Sequence, residues 1–192
     1  MVSVLMCTYN RRFCLKQAID SVLCQTYPDF EFVIVDDGST DGTEELIKSY
    51  QDPRIRYFKL NRNSFYCYAA NQGLDHCQGD YVAFMNSDDA WLPDKLEKQV
   101  TVMEEDRMLG ACFTRVYLVD ESGNDLSEEC RDMQSFLTGS VRHRKNICIR
   151  FCNLGIFFVI PQLWSENLYW IRSDISIFCI ASWQIMICGF GL

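Results

Sequence analysis

Asp88 and Asp89 are the residues whose types and spacing speak most directly of chemistry. They end the run Tyr81-Val82-Ala83-Phe84-Met85-Asn86-Ser87 and stand shortly before Pro93. The run is apolar and of strand type, and a proline suits the opening of a helix. A chain that leaves a buried strand and turns sharply puts both acids at the strand tip. Paired carboxylates are costly unless a cation or hydrogen bonds offset their repulsion. A hard divalent ion, Mg²⁺ or Mn²⁺, is the natural counter-charge, with phosphate oxygens completing its shell. The plainer reading makes the two acids turn formers and helix caps, and these residues alone do not choose between the two.

The elements around them narrow the choice. Val2 to Cys7 reads as a buried strand, and Thr8-Tyr9-Asn10-Arg11 is the polar loop after it. Phe13 to Leu23 has the spacing of a one-faced helix. Phe30 to Val35 is a second strand, rich in β-branched and aromatic residues. The turn Asp36-Asp37-Gly38-Ser39-Thr40-Asp41-Gly42-Thr43 places acids just past that strand's end, where open α/β sheets hold ligands. Then come a helix from Glu44 to Tyr50, a short strand from Ile55 to Phe58, and a helix from Tyr68 to His76. The strand at Tyr81 follows, and then a charged amphipathic helix from Pro93 to Met103. This alternation predicts a mostly parallel sheet covered on both faces. The loops after Cys7, Val35 and Met85 converge at its carboxyl edge. No Gly-rich dinucleotide fingerprint or Walker-type loop is present.

Beyond about Gly110 the character changes. Ala111 to Val119 reads as a strand, 120–125 as a hairpin turn and 128–138 as a helix or ordered loop. Arg142, Arg144, Lys145 and Arg150 form a basic patch, either a solvated face or a surface for an acidic acceptor, phosphate or anionic lipid. Ile175 to Leu192 carries no charge. Its readings are a buried terminal helix or strand, an oligomer contact, or a spanning segment.

The totals bound the class. The 192 residues hold one substantial core, and 48% apolar with 23% charged residues is a globular composition. A net charge of −8 disfavours a nucleic-acid module, which concentrates positive charge. The 11 cysteines are scattered without a tight CxxC pair, as reduced thiols are, and no leader is visible. Both features point to the cytosol.

Four stretches now stand in order: Val2 through Arg11, Val33-Ile34-Val35-Asp36-Asp37-Gly38-Ser39-Thr40-Asp41, Ala69-Ala70-Asn71-Gln72-Gly73-Leu74, and Gly79-Asp80-Tyr81 through Asp89. Together they resemble family 2 of the inverting glycosyltransferases. The resemblance is strong over residues 1–105 and fades beyond about 125. It implies a GT-A fold, a Rossmann-like mostly parallel sheet flanked by helices. The single domain, 1–192, would pair a nucleotide-sugar half, 1–105, with a short or truncated acceptor half, 106–192.

The resemblance also implies Mn²⁺ or Mg²⁺ and a nucleotide-diphospho-sugar donor, a UDP-sugar first. It implies a glycan or lipid-linked acceptor, and peripheral work at the inner face of the membrane. Thr8 and Tyr9 would line the base and ribose pocket. Asp37 would accept a hydrogen bond from the base, and Asp36 would orient its loop. Asn86 stands where the first acid of a DxD motif often lies and would face the ribose. Asp88 would be the metal ligand, with Asp89 beside it or acting through water. Asn71 would hold a loop against the donor.

Two departures matter. Ala70 stands where many relatives carry arginine, a loss that Arg62 or Arg11 could offset. The late acidic motif that supplies a catalytic base is also missing, which leaves Asp174 first and Glu166 next. A non-catalytic relative that binds a nucleotide-sugar or works through a partner is the alternative.

Overall fold

The computed structural model describes residues 1–107, 109–114 and 119, with 149–151 and 153–159; for Phe113 and for everything past 148 only the backbone is described. Asp174, Glu166, the apolar 175–192 segment, the 120–125 and 128–138 stretches and the arginines and lysine of 142–145 lie outside the described residues.

The chain alternates as its sequence predicts. The order is β1 (Val2–Thr8), α1 (Arg12–Leu23), β2 (Phe30–Asp36), α2 (Thr43–Lys48), β3 (Ile55–Lys59), α3 (Phe65–His76), β4 (Tyr81–Asn86), α4 (Lys95–Glu105), β5 (Ala111–Thr114), β6 (Ile149–Phe151) and β7 (Asn153–Val159). The sheet runs β3-β2-β1-β4-β7-β5-β6. β1 to β4 are mutually parallel where they pair. β7 runs antiparallel to both of its neighbours, so the sheet is mixed in its second half.

Period-two burial divides the strands between two cores. Val4, Met6, Phe32 and Ile34 pack with Leu15, Ile19 and Val22 of α1, Ile47 of α2 and Leu96 and Met103 of α4. On the opposite face Leu5, Val33, Val35 and Val82 pack with Ala69 of α3. α3 lies so close to β1 that a Cβ on Gly73 would sit 2.3 Å from Leu5 Cδ1. Helices therefore cover both faces, and the strand ends stay open between them.

Two helix starts differ from the sequence reading by more than one residue. α3 starts at Phe65, three residues before Tyr68, because side-chain bonds fix its first turn: Asn63 Oδ1 accepts the Phe65 N–H at 3.0 Å. α4 starts at Lys95 and not at Pro93, whose carbonyl accepts the Thr26 N–H at 2.8 Å. Among the described residues no helix is long and apolar enough to cross a membrane, and Cys7, Cys14, Cys24 and Cys77 are free thiols.

Lys95 is a charge inside the core. It is 7% exposed, with Nζ bonded to Gln99 and 4.2 Å from the centroid of the Trp91 ring. Burial pulls its ammonium down to about 7. An unfolded lysine titrates near 10.4, so between those values the unfolded chain binds the extra proton and stability rises with pH. Lys95→Met should therefore raise stability at pH 7, by an amount on the order of 1–4 kcal/mol. The wild type should close that gap as pH climbs from 7 toward 10. Urea unfolding of both proteins at several pH values measures it, and a gap that does not change with pH would contradict the account.

Candidate functional site

The parallel registers bring four loops to one edge. Thr8 pairs with Asp36, Cys7 with Asn86, and Asp36 with Lys59. The tips of β1, β2, β3 and β4 are therefore level, and the segments that leave them meet.

Asp36 is fully buried and both its oxygens are used. Oδ1 accepts the Ser39 N–H at 2.7 Å, and Oδ2 accepts the Tyr57 hydroxyl at 2.8 Å. Burial and this carboxylate together push the Tyr57 phenol well above its ordinary range. Asp36 thus holds the turn, as expected for the acid that orients the loop.

Asp37 faces the other way. Its N–H donates to the Thr8 carbonyl at 2.9 Å, and its Oδ1 accepts the Ser64 N–H at 2.7 Å. Its Oδ2 takes no hydrogen bond from the described residues, although the residue is only 4% exposed. Thr8 Oγ1 is buried without a partner among the described residues. Unmet polar atoms of this kind mark a place completed by ligand, ion or ordered water.

The first two loops are stitched together. Asn10, at φ +52°, donates its N–H to Ser39 Oγ at 2.9 Å and accepts the Thr40 N–H on Oδ1 at 2.9 Å. The Arg12 N–H donates to Asp41 Oδ2 at 3.0 Å. Tyr9, between them, presents an exposed ring. The loop after β3, in which the sequence reading singles out only Arg62, reaches this edge through its backbone. Its backbone presses on Gly38, where φ is +80° and a Cβ would lie 2.7 Å from the Arg62 carbonyl carbon. The one sequence signal for this contact was the glycine in the acidic turn.

The loop after β4 joins through Arg11, whose NH1 lies 3.8 Å from Asp88 Oδ2, and through the Cys14 thiol, which donates to the Ser87 carbonyl at 3.5 Å. Asn86 Nδ2 donates to Asp89 Oδ2 at 2.8 Å. Crowding by surrounding protein raises the Asp89 carboxyl, the Asp88 charge adds to that rise, and the Asn86 bond opposes it. Asn71 is exposed on α3, and Ala70 beside it is packed at 5% exposure.

Among the described residues no group of three or more histidines, cysteines or acids is gathered as a metal cage. Asp88 and Asp89 together still fit an ion of the Mg²⁺ type. Such an ion takes one or two carboxylates from protein and completes its shell with water and phosphate.

A mixed, mostly parallel sheet with this order, helices on both faces and acids at its carboxyl edge is the arrangement of the GT-A class of glycosyltransferase folds. The chain belongs to glycosyl transferase family 2, whose family model matches residues 3–164. It is 42% identical over 130 residues to TuaG of Bacillus subtilis (strain 168), a glycosyltransferase provisionally named for teichuronic acid biosynthesis; the match covers 67% of this chain and 51% of that protein. It is 42% identical over 132 residues to an uncharacterized glycosyltransferase of Methanocaldococcus jannaschii, covering 67% of this chain and 46% of the other. The chain thus spans about half the length of these relatives.

Among solved structures, S. aureus TarS 1–349 in complex with UDP-GlcNAc aligns with a TM-score of 0.60 at 27% identity, over 64% of this chain and 36% of that one. The mannosyltransferase PcManGT from Pyrobaculum calidifontis, in complex with GDP-Man and Mn²⁺, aligns with a TM-score of 0.61 over 82% of this chain and 44% of that one. At 21% identity, its likeness concerns the fold alone.

Gly38→Ala should expel the Arg62–Ser64 segment from Asp37, because the added methyl meets backbone and the positive φ disfavours any side chain. The expected loss is about 1–3 kcal/mol of stability, read by thermal unfolding, together with faster amide exchange at Ser64. Unchanged exchange there would show that the contact does not hold the loop.

Proposed function

We propose that this chain carries the donor-binding half of a metal-dependent, inverting glycosyltransferase. The donor is a nucleotide-diphospho-sugar, UDP-sugar first, and the acceptor is a hydroxyl of a glycan or lipid-linked molecule. The observation that carries the reading is the meeting of Thr8, Asp37, Arg11 and Asp88 at one sheet edge, through the Asp37–Thr8 hydrogen bond and the Arg11–Asp88 ion pair. TarS, solved with UDP and with UDP-GlcNAc, supports the choice of nucleotide.

In this reading Asp37 Oδ2 accepts an N–H of the base, and Thr8 and Tyr9 line the base and ribose pocket. Asn86 gives one amide N–H to Asp89 and faces the ribose with its Oδ1, which accepts a ribose hydroxyl. Asn71 steadies the neighbouring loop. Asp88, with Asp89, would hold Mn²⁺ or Mg²⁺. When bound, the ion offsets charge on the departing diphosphate.

The reaction is one displacement. The acceptor oxygen bonds to the anomeric carbon, the bond from that carbon to the diphosphate oxygen breaks, and configuration inverts. A carboxylate takes the acceptor's proton; Asp174 is the first candidate and Glu166 the second. A cytoplasmic site at the inner face of the membrane suits a lipid-linked acceptor.

Calorimetry with UDP and GDP, with and without Mn²⁺, tests the donor site. Asp88→Ala should keep the fold, since the Asp88 side chain is held by an exposed ion pair to Arg11. It should weaken Mn²⁺-dependent nucleotide binding roughly tenfold or more, the scale of a lost charge-assisted contact. Absence of heat with either nucleotide would overturn the donor reading. Binding with no sugar transfer or donor hydrolysis would select the non-catalytic alternative.

A further inference from the structure

The described residues include two non-glycine positions at positive φ, Asn10 and Phe65. Asparagine tolerates that region. A phenylalanine at φ +67° is a genuine outlier. Phe65 gains no burial from it, for it is 80% exposed. An apolar ring that is both strained and solvated is poorly explained by folding, and strain of this kind collects at ligand-holding sites.

The surroundings say what the strain accomplishes. The Phe65 N–H is held by Asn63 Oδ1 at 3.0 Å, and the Ser64 N–H by Asp37 Oδ1 at 2.7 Å. Gly38 presses on the backbone of Arg62 and Asn63. Residues 62–65 are thus fixed to the acid whose second oxygen lacks a hydrogen-bond partner among the described residues. The exposed ring begins one residue after the backbone N–H that anchors Asp37. A carboxylate that accepts an imide or amide N–H reads the edge of a flat heterocycle, and the face of that heterocycle then calls for an aromatic surface.

We propose that Phe65 is a specificity-determining residue of the donor site, an aromatic shelf on which the donor's nucleobase stacks while Asp37 holds its edge. The inference rests on the donor reading above and deepens it. The left-handed backbone at Phe65 fixes the ring at the rim of the pocket, and the occupied pocket covers it.

The test uses the full chain, with UDP and inorganic pyrophosphate as separate ligands in the presence of Mn²⁺. Phe65→Gly removes the ring and relieves the backbone. Its Tm should rise by about 2–4 °C, while UDP affinity should fall roughly 5- to 100-fold. Pyrophosphate affinity should stay the same, because that ligand has no base. Phe65→Trp should keep UDP affinity, and UDP should quench its added indole fluorescence. Wild-type binding of UDP with an unchanged Phe65→Gly affinity would overturn the shelf and leave the donor site standing. An equal loss of UDP and pyrophosphate would overturn it too, by showing general distortion. A wild type that binds neither ligand removes both readings.

Discussion

The register of the parallel sheet is the constraint on which the site depends. Thr8 lies opposite Asp36, and Cys7 opposite Asn86, on the two sides of β1. A slip of one residue in either ladder would turn every side chain of the moved strand to the other face. Leu5 would then leave the α3 layer and Met6 the layer of α1 and α4. Both faces are packed with apolar side chains, so the cost of a slip falls on both cores at once. The hydrophobic pattern of β1 and β2 thereby fixes which residue ends each strand, and the strand ends fix the loops.

The pleat then separates two adjacent acids into two roles. Asp36 is the last residue of β2 and points into protein, where Ser39 and Tyr57 use both its oxygens. Asp37, one residue on, anchors Ser64 with one oxygen and leaves the other for something the described residues do not supply. Both are carboxylates in a buried setting, and they differ in how many of their oxygens the described residues satisfy. Thr8 Oγ1 belongs with Asp37 on this criterion.

This distinction shows where a sequence stops being informative. β1, β2, β3 and β4 are legible because β-branched and apolar runs end in polar turns, and periodicity reports burial directly. The acids at the strand ends are legible for the same reason. The fourth loop is less so, because the sequence marks only Arg62 there and the segment acts through its backbone against Gly38. The start of α3 is hidden because Phe65 adopts a backbone that its residue type argues against. Lys95 reads as one more charge on an amphipathic helix, yet it lies inside the core against Trp91 and Gln99. Each miss is a tertiary contact overriding a local preference. The candidate bases Asp174 and Glu166 remain sequence assignments, since they lie outside the described residues.

The electrostatics of the edge explain how such a site can be built without destabilising the fold. Asp88 and Asp89 are adjacent acids on a chain of net charge −8, and with Ala70 packed in the protein no cation is supplied from that position. Arg11 is the side chain that meets Asp88, at 3.8 Å, with both partners about half exposed. An exposed pair of that kind contributes on the order of 0–1 kcal/mol. The fold therefore loses little if the pair opens. A dication at Asp88 would leave the guanidinium beside a phosphate-bearing ligand, where a planar fork of donors is well matched to phosphate oxygens. Strong, buried contacts at Asp36 hold the architecture, while weak, exposed ones at Asp88 leave the carboxylates available. That division of strength is what a site must have if its ligands arrive after folding.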